Sequence, residues 1–105
     1  MEQPNLDYIN ELGDGDKMFI SKLIAVIKEE LPQEIERYNE NFNSSAFAKA
    51  AENVLKLKHK FGILGIVHGY YTAIAYEEEL KMGQSSLKNE FDNLLEACNR
   101  FINEL

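Results

Sequence analysis

Three lysines at alternating positions, Lys56, Lys58 and Lys60, surround His59 in an otherwise acidic chain, the densest cluster of chemically able side chains in the sequence. A basic run of this kind either keeps a helix solvated or faces an acidic pocket on a protein partner, and both readings stay open. The second histidine, His68, lies nine residues further on, between Val67 and Gly69, and reads as a solvated loop residue at a helix break. No His-x-x-x-His or cysteine spacing accompanies the pair, so no metal site is expected. Glu77-Glu78-Glu79 sets three carboxylates in a row, but consecutive helical residues point in different directions, which favours a solvated face. The Glu-x-x-His pairs of a di-iron bundle are absent. So are a glycine-rich phosphate loop, a nucleophile elbow and a dinucleotide fingerprint. No metal and no cofactor are expected, and the chain does not read as an independent enzyme.

The elements that position these residues are bounded by composition. A chain of 105 residues, 45% hydrophobic and 28% charged, makes one globular domain over 1–105. A net charge of -7 argues against nucleic acid, whose phosphates require a basic face, and allows steering toward a basic patch on a protein. Cys98 stands alone, so no internal disulfide forms and a reducing compartment fits. The N-terminus lacks the basic and apolar segments of a signal peptide. The most apolar window, Phe61 to Tyr76, carries three glycines and His68 and is too short and polar to span a bilayer. A cytoplasmic protein without membrane association is expected, with a monomer as the favoured state.

Almost the whole sequence reads with a helical period. A short first helix is expected over Leu6–Leu12, opened by Asn5 and stopped by Gly13. Asp14 or Asp16 caps a long second helix to about Asn41, with the stripe Phe19, Leu23, Ile27, Leu31, Ile35 and Tyr38 and a kink at Pro32. Ser44 or Ser45 caps a third helix over Ala46–Leu64, whose stripe is Phe47, Ala50, Val54, Leu57, Phe61 and Leu64. A fourth covers Tyr70–Lys81, with Tyr70, Tyr71 and Tyr76 at the edge and their hydroxyls wet. The last starts at Ser85 or Ser86 and carries Leu87, Phe91, Leu94, Cys98, Phe101 and Leu105. The expected fold is all-α, an antiparallel four-helix bundle with a short extra N-terminal helix.

Leu55 stands apart from this pattern. It points about 130° away from the centre of the third helix's stripe, toward solvent, on one face with His59, Gly62 and Ile66. It reads as an incidental surface leucine or as a partner-facing residue. The stretch from Val54 to Gly65 resembles the signature helix of histidine phosphotransfer (HPt) domains, which pass phosphoryl groups between receiver domains. Their pattern is Ala-His-x-x-Lys, then a small residue, with Leu-Gly one to two turns later. Here Lys58 and Leu64-Gly65 match in register, but Leu55 fills the histidine slot and bulky His59 the small one. Phe47 stands eight residues before the slot, where the family often has an aromatic. Glu30-Leu31-Pro32, Ala73 and Glu77 match further features, and the likeness covers nearly the whole chain.

The resemblance implies the same bundle and a role in two-component phosphorelay signalling. Phosphotransfer needs an exposed imidazole to attack the receiver's aspartyl phosphate and an ammonium group to offset the transferred charge. Leucine has no nucleophilic atom. The implied role is therefore a pseudo-carrier that docks a response-regulator receiver domain or a histidine kinase without accepting phosphate. Its docking face would comprise Leu55, Lys56, Lys58, His59, Gly62 and Ile66, helped by the second helix. One alternative is an active phosphocarrier that uses His59, with Lys56 or Lys60 as counter-charge. The other is a structural or self-associating helical module unrelated to phosphorelay.

Overall fold

The computed structural model describes residues 2–105. Its helices are Asp7–Gly13 (α1), Lys17–Asn43 (α2), Phe47–Ile63 (α3), Val67–Lys81 (α4) and Lys88–Asn103 (α5), and the described residues include no strand. α3 packs against α2 and α4, and α5 against α4 and α2, so the four longer helices touch in a closed cycle, while α1 packs on α2. No helix is long and apolar enough to cross a membrane.

Three helices stop by one device. Ser45, Gly65 and Gly83 take left-handed backbone conformations just past α2, α3 and α4. The next amide in each case returns to a carbonyl in the preceding last turn: Ala46 to Asn41 at 2.8 Å, Ile66 to Phe61 at 2.9 Å, Gln84 to Glu79 at 2.8 Å. These are Schellman closures, and they keep the connections short. Gly65 is doubly constrained, by a φ of +77° and by Asn5, whose side-chain nitrogen would lie 2.6 Å from an added Cβ.

Several helix starts differ from expectation. Asp16 does cap α2, its carboxylate accepting from the Phe19 amide at 3.0 Å, and Asn5 accepts from the Asp7 amide at 3.0 Å. Neither Ser44 nor Ser45 caps α3, because Ser44 Oγ is turned back to the Glu40 carbonyl at 2.9 Å to close α2. α1 ends at Gly13, and Asp14 rather than the glycine takes the left-handed position. Pro32 lies on the exposed side of α2 and does not end it. α4 begins at Val67, three residues early, so His68 sits in its first turn rather than in a loop. There the Glu2 carboxylate serves as cap, accepting from the amides of His68 at 3.1 Å and Gly69 at 3.0 Å.

The core takes Ile27, Leu31 and Tyr38 from α2, the expected α3 stripe from Ala50 to Leu64, and Ala73, Tyr76 and Leu80 from α4. α5 adds Phe91, Leu94, Leu95, Cys98 and Ile102. Phe91 is the hub, with ring centroids 5.4 Å from Tyr38 and Phe61 and 4.9 Å from Tyr76. Each such aromatic or aliphatic side chain contributes about 1.5–3 kcal/mol by burial. Two ends of the predicted stripes fail: Phe19 and Leu105 are exposed, and Ile102 takes the inward position at the end of α5. Burial holds the Cys98 thiol up at about 12, so it is inert packing.

Tyr76 is fully buried rather than wet at the edge. Its hydroxyl lies 2.7 Å from that of Tyr38, which donates to Asp92 Oδ1 at 2.8 Å. A carboxylate only accepts, so the Tyr38 proton goes to Asp92 and the Tyr76 proton to Tyr38. Lys88 closes the chain by pairing with Asp92 and lying 4.5 Å over the Phe42 ring. Burial, with the Asp92 charge adding to it, pushes both phenols up, Tyr76 to about 12 although its hydrogen bond to Tyr38 acts the other way, and the pair stays neutral. Tyr38→Phe strands the Tyr76 proton inside the core and is expected to cost about 2 kcal/mol, against about 1 kcal/mol for Tyr76→Phe. Urea unfolding of both variants tests this order; equal losses would mean the hydrogen bonds do not run in that direction.

Candidate functional site

The outward side of α3 carries Leu55, His59 and Gly62 at intervals of four and three residues, so they share one helical face. Leu55 is 39% exposed, and the inward side of the same two turns is sealed by Val54, Leu57 and Phe61. Burial of those three fixes the rotation of α3 and thereby presents Leu55 outward. His59 and Gly62 are exposed, and His59 makes no hydrogen bond or ion pair among the described residues.

Two residues that sequence reasoning did not assign to the site complete it. Tyr8 of α1 and Tyr70 of α4 line, with His59, Gly62 and Ile63, an open hollow of about 340 Å³. Gly62 makes room for it: an added Cβ would touch Tyr70 Cδ2 at 3.6 Å. The signal available in the sequence was the missing side chain at Gly62 beside a tyrosine-rich fourth helix. Leu12, one turn beyond Tyr8 on the same side of α1, is also exposed and extends the apolar surface.

The three lysines do not form one patch. Alternate residues on an α-helix lie about 200° apart, so Lys56 and Lys60 turn toward α2 while Lys58 turns toward α4. Lys58 Nζ sits 5.5 Å from the Tyr70 ring centroid, a cation–π contact at the rim of the hollow. Lys60 is only 13% exposed and pairs with Glu34 at 2.9 Å and Glu30 at 3.2 Å. Burial alone would lower its ammonium, but those two carboxylates outweigh it and hold the pKa above the ordinary lysine value. Lys56 stays exposed beside an α2–α3 cleft of about 220 Å³ that Arg37 also lines. α2 thus meets α3 on the Lys56–Lys60 side, away from the hollow at His59.

Ile66 does not belong to this face. It is fully buried, because α3 ends at Ile63 and the left-handed turn at Gly65 swings the chain inward. The 100° rule that put it beside Leu55 holds only while the helix continues.

His68 projects from the first turn of α4 and reaches Glu90 Oε1 at 3.4 Å, both side chains largely in water. Glu79 leaves the expected solvated run: it is buried and bonded to the start of α5, while Glu77 and Glu78 pair with Lys81. No group of three or more His, Cys, Asp or Glu side chains able to hold a metal occurs among the described residues. The face offers apolar contact and one accessible imidazole, with Lys56 and Lys58 at its two margins. Comparison of the chain with protein-family models, with curated proteins and with solved structures finds no match.

Proposed function

We propose that this chain is an HPt-like module of two-component phosphorelay signalling, in which α2–α5 form an antiparallel four-helix bundle and α1 is a short accessory helix. It docks a receiver domain or a histidine kinase and accepts no phosphate at Leu55. The observation that carries this reading is the placement of Leu55: exposed on the outward side of α3, one turn before His59, with Lys58 three residues on. Leu55, Lys56, Lys58, His59 and Gly62 form the docking face, and Tyr8 and Tyr70 extend it. An apolar centre with a lysine rim suits a transient interface with an acidic partner surface.

Binding to the receiver domains and histidine kinases of the source organism, measured by calorimetry, tests the proposal. At least one should bind, and Leu55→Glu should weaken it by about tenfold or more, since a central contact is lost and a like charge faces the partner. Lys58→Glu should act in the same direction, mainly through association rate. Absence of binding across the whole panel would end the docking reading.

A phosphocarrier working through His59 has one observation in its favour, an exposed imidazole free of partners at the edge of a hollow. Against it, of the two counter-charges this route would use, Lys60 is already engaged by Glu30 and Glu34, and Lys56 turns toward the α2–α3 cleft, away from the hollow. An acid-labile phosphoryl adduct on wild type that disappears in His59→Ala would establish this second role.

A further inference from the structure

The seam between α2 and α3 is charge-complementary except at one level. α3 runs back along α2 in a register fixed by Lys60 against Glu30 and Glu34 and by Asn53 against Asn41 at 2.6 Å. One turn back from Lys60 stands Lys56, and one turn on from Glu34 stands Arg37, which brings two cations to the same level between those contacts. Both are exposed, and both line the α2–α3 cleft of about 220 Å³ with Glu30, Gln33, Glu34 and Lys60. Neither enters an ion pair among the described residues. Glu30 and Glu34, the carboxylates of the cleft, are both taken by Lys60. Glu40 and Glu52, one turn from Arg37 and Lys56 on their own helices, do not line the cleft and pair with neither.

Two like charges on facing walls repel, and an anion between them turns that repulsion into two attractions. Three cations against two carboxylates leave the cleft one positive charge, in a chain of net charge -7. Its volume is below the roughly 300 Å³ at which sites begin to enclose whole small molecules, so it takes a single group. The identity of that group follows from the donors. The guanidinium fork of Arg37 suits two oxygens, the ammonium of Lys56 a third as a point charge, and the amide of Gln33 adds a neutral donor. A carboxylate has only two oxygens, which Arg37 alone would use, whereas a tetrahedral oxyanion has one for each wall. We infer that the α2–α3 cleft is a binding site for a phosphate group, held between Arg37 and Lys56. Lys60, fixed by Glu30 and Glu34, forms the inner wall and is not itself free to bind. The site does not depend on what docks at Leu55, although Lys56 borders both.

Titration with inorganic phosphate against chloride at matched ionic strength, followed by NMR at the backbone amides of residues 33–37 and 56–60, tests the inference. Wild type should show saturable shifts with a dissociation constant on the order of 1 mM. Glycerol phosphate as a second probe separates a free ion from a carried group: equal binding means that the open side of the cleft admits a monoester, and weaker binding means that it selects the free ion. Arg37→Gln and Lys56→Gln should each weaken phosphate by about tenfold or more. Lys22→Gln removes the same charge from α2 outside the cleft and should bind as wild type does. Lys56→Glu gives Arg37 a partner within the fold, so it should abolish the phosphate response and raise the urea midpoint. All these positions are exposed, and helicity by circular dichroism should stay at the wild-type level. No saturable response in wild type would overturn the site, as would acetate binding as tightly as phosphate. A response that Arg37→Gln and Lys56→Gln leave intact, or a urea midpoint that falls in Lys56→Glu, would do the same. No protein partner enters the measurement, so its failure and a failure of docking at Leu55 are separate results.

Discussion

Leu55→His is expected to take up a phosphoryl group from a phosphorylated receiver, where the wild-type side chain offers no acceptor. The position is partly exposed and outside the core, so the substitution should change stability by no more than about 0.5 kcal/mol. A neutral imidazole nitrogen there would form a bond to phosphorus as the bond to the receiver's aspartate breaks, and the aspartate leaves as carboxylate. Lys58 is the counter-charge. It must leave the Tyr70 ring to meet the phosphoryl group, at a cost of about 0.5–1 kcal/mol, which is small beside pairing with a doubly negative group. His59 next to it is bulky where a close approach is needed, so Leu55→His/His59→Gly should accept phosphate faster than the single variant. Acid-labile radiolabel on the isolated proteins measures both. If neither variant takes label from a receiver that it binds, the α3 face lacks more than its nucleophile.

The spacing of apolar residues located the helices because burial dictates it. Phe91, Leu94 and Cys98 repeat at three and four residues and all turn inward, as do Val54, Leu57, Phe61 and Leu64. The failures fall at helix ends, where local chemistry gives way to contacts from distant segments. No local pattern announces that Glu2 caps α4 from sixty-six residues away, so residue types alone start that helix too late. Ser44 and Ser45 look like N-caps from their type, but a Schellman closure of α2 uses both first. Tyr76 and Phe19 show the other limit. Periodicity says which way a side chain points, not whether another helix stands there, and α2 outruns its neighbours at Phe19.

The site was legible where it lies on one helix. Leu55, His59 and Gly62 follow from the rotation of α3 alone, and all three are exposed. Its edges were not legible, because they depend on how other elements approach. Tyr8 arrives on α1, Tyr70 on α4, and Ile66 leaves through the turn at Gly65. The lysine run misleads for a simpler reason: neighbours in sequence are not neighbours in space, and the helix sends Lys58 and Lys60 to different partners.

The largest stability loss outside the apolar core is expected for Glu79→Ala. α5 begins with no side-chain cap of its own, and the Leu87 amide at its start would be unsatisfied without Glu79, a residue of the preceding helix. Glu79 Oε1 accepts from the Leu87 amide and Oε2 from Ser86 Oγ, both at 2.6 Å, while its carbonyl closes α4 by accepting from Gln84. Truncation removes two charge-assisted bonds at a buried site, and a loss of about 2–4 kcal/mol follows. Glu79→Gln keeps the shape and some accepting capacity and should lose about half as much. Burial alone would raise this carboxyl, but the bonds from Ser86 and Leu87 outweigh it and hold the pKa below the ordinary carboxylate value. The sign of the pH dependence is then fixed. The charged form is favoured by folding, so its contribution is complete above the unfolded carboxylate pKa and disappears as pH falls through the lower folded value. Urea midpoints of wild type and Glu79→Gln should therefore differ by a constant amount at neutral pH and converge in acid. Curves that stay parallel to the lowest pH, or a Glu79→Ala midpoint equal to wild type, would show that this carboxylate does not anchor α5.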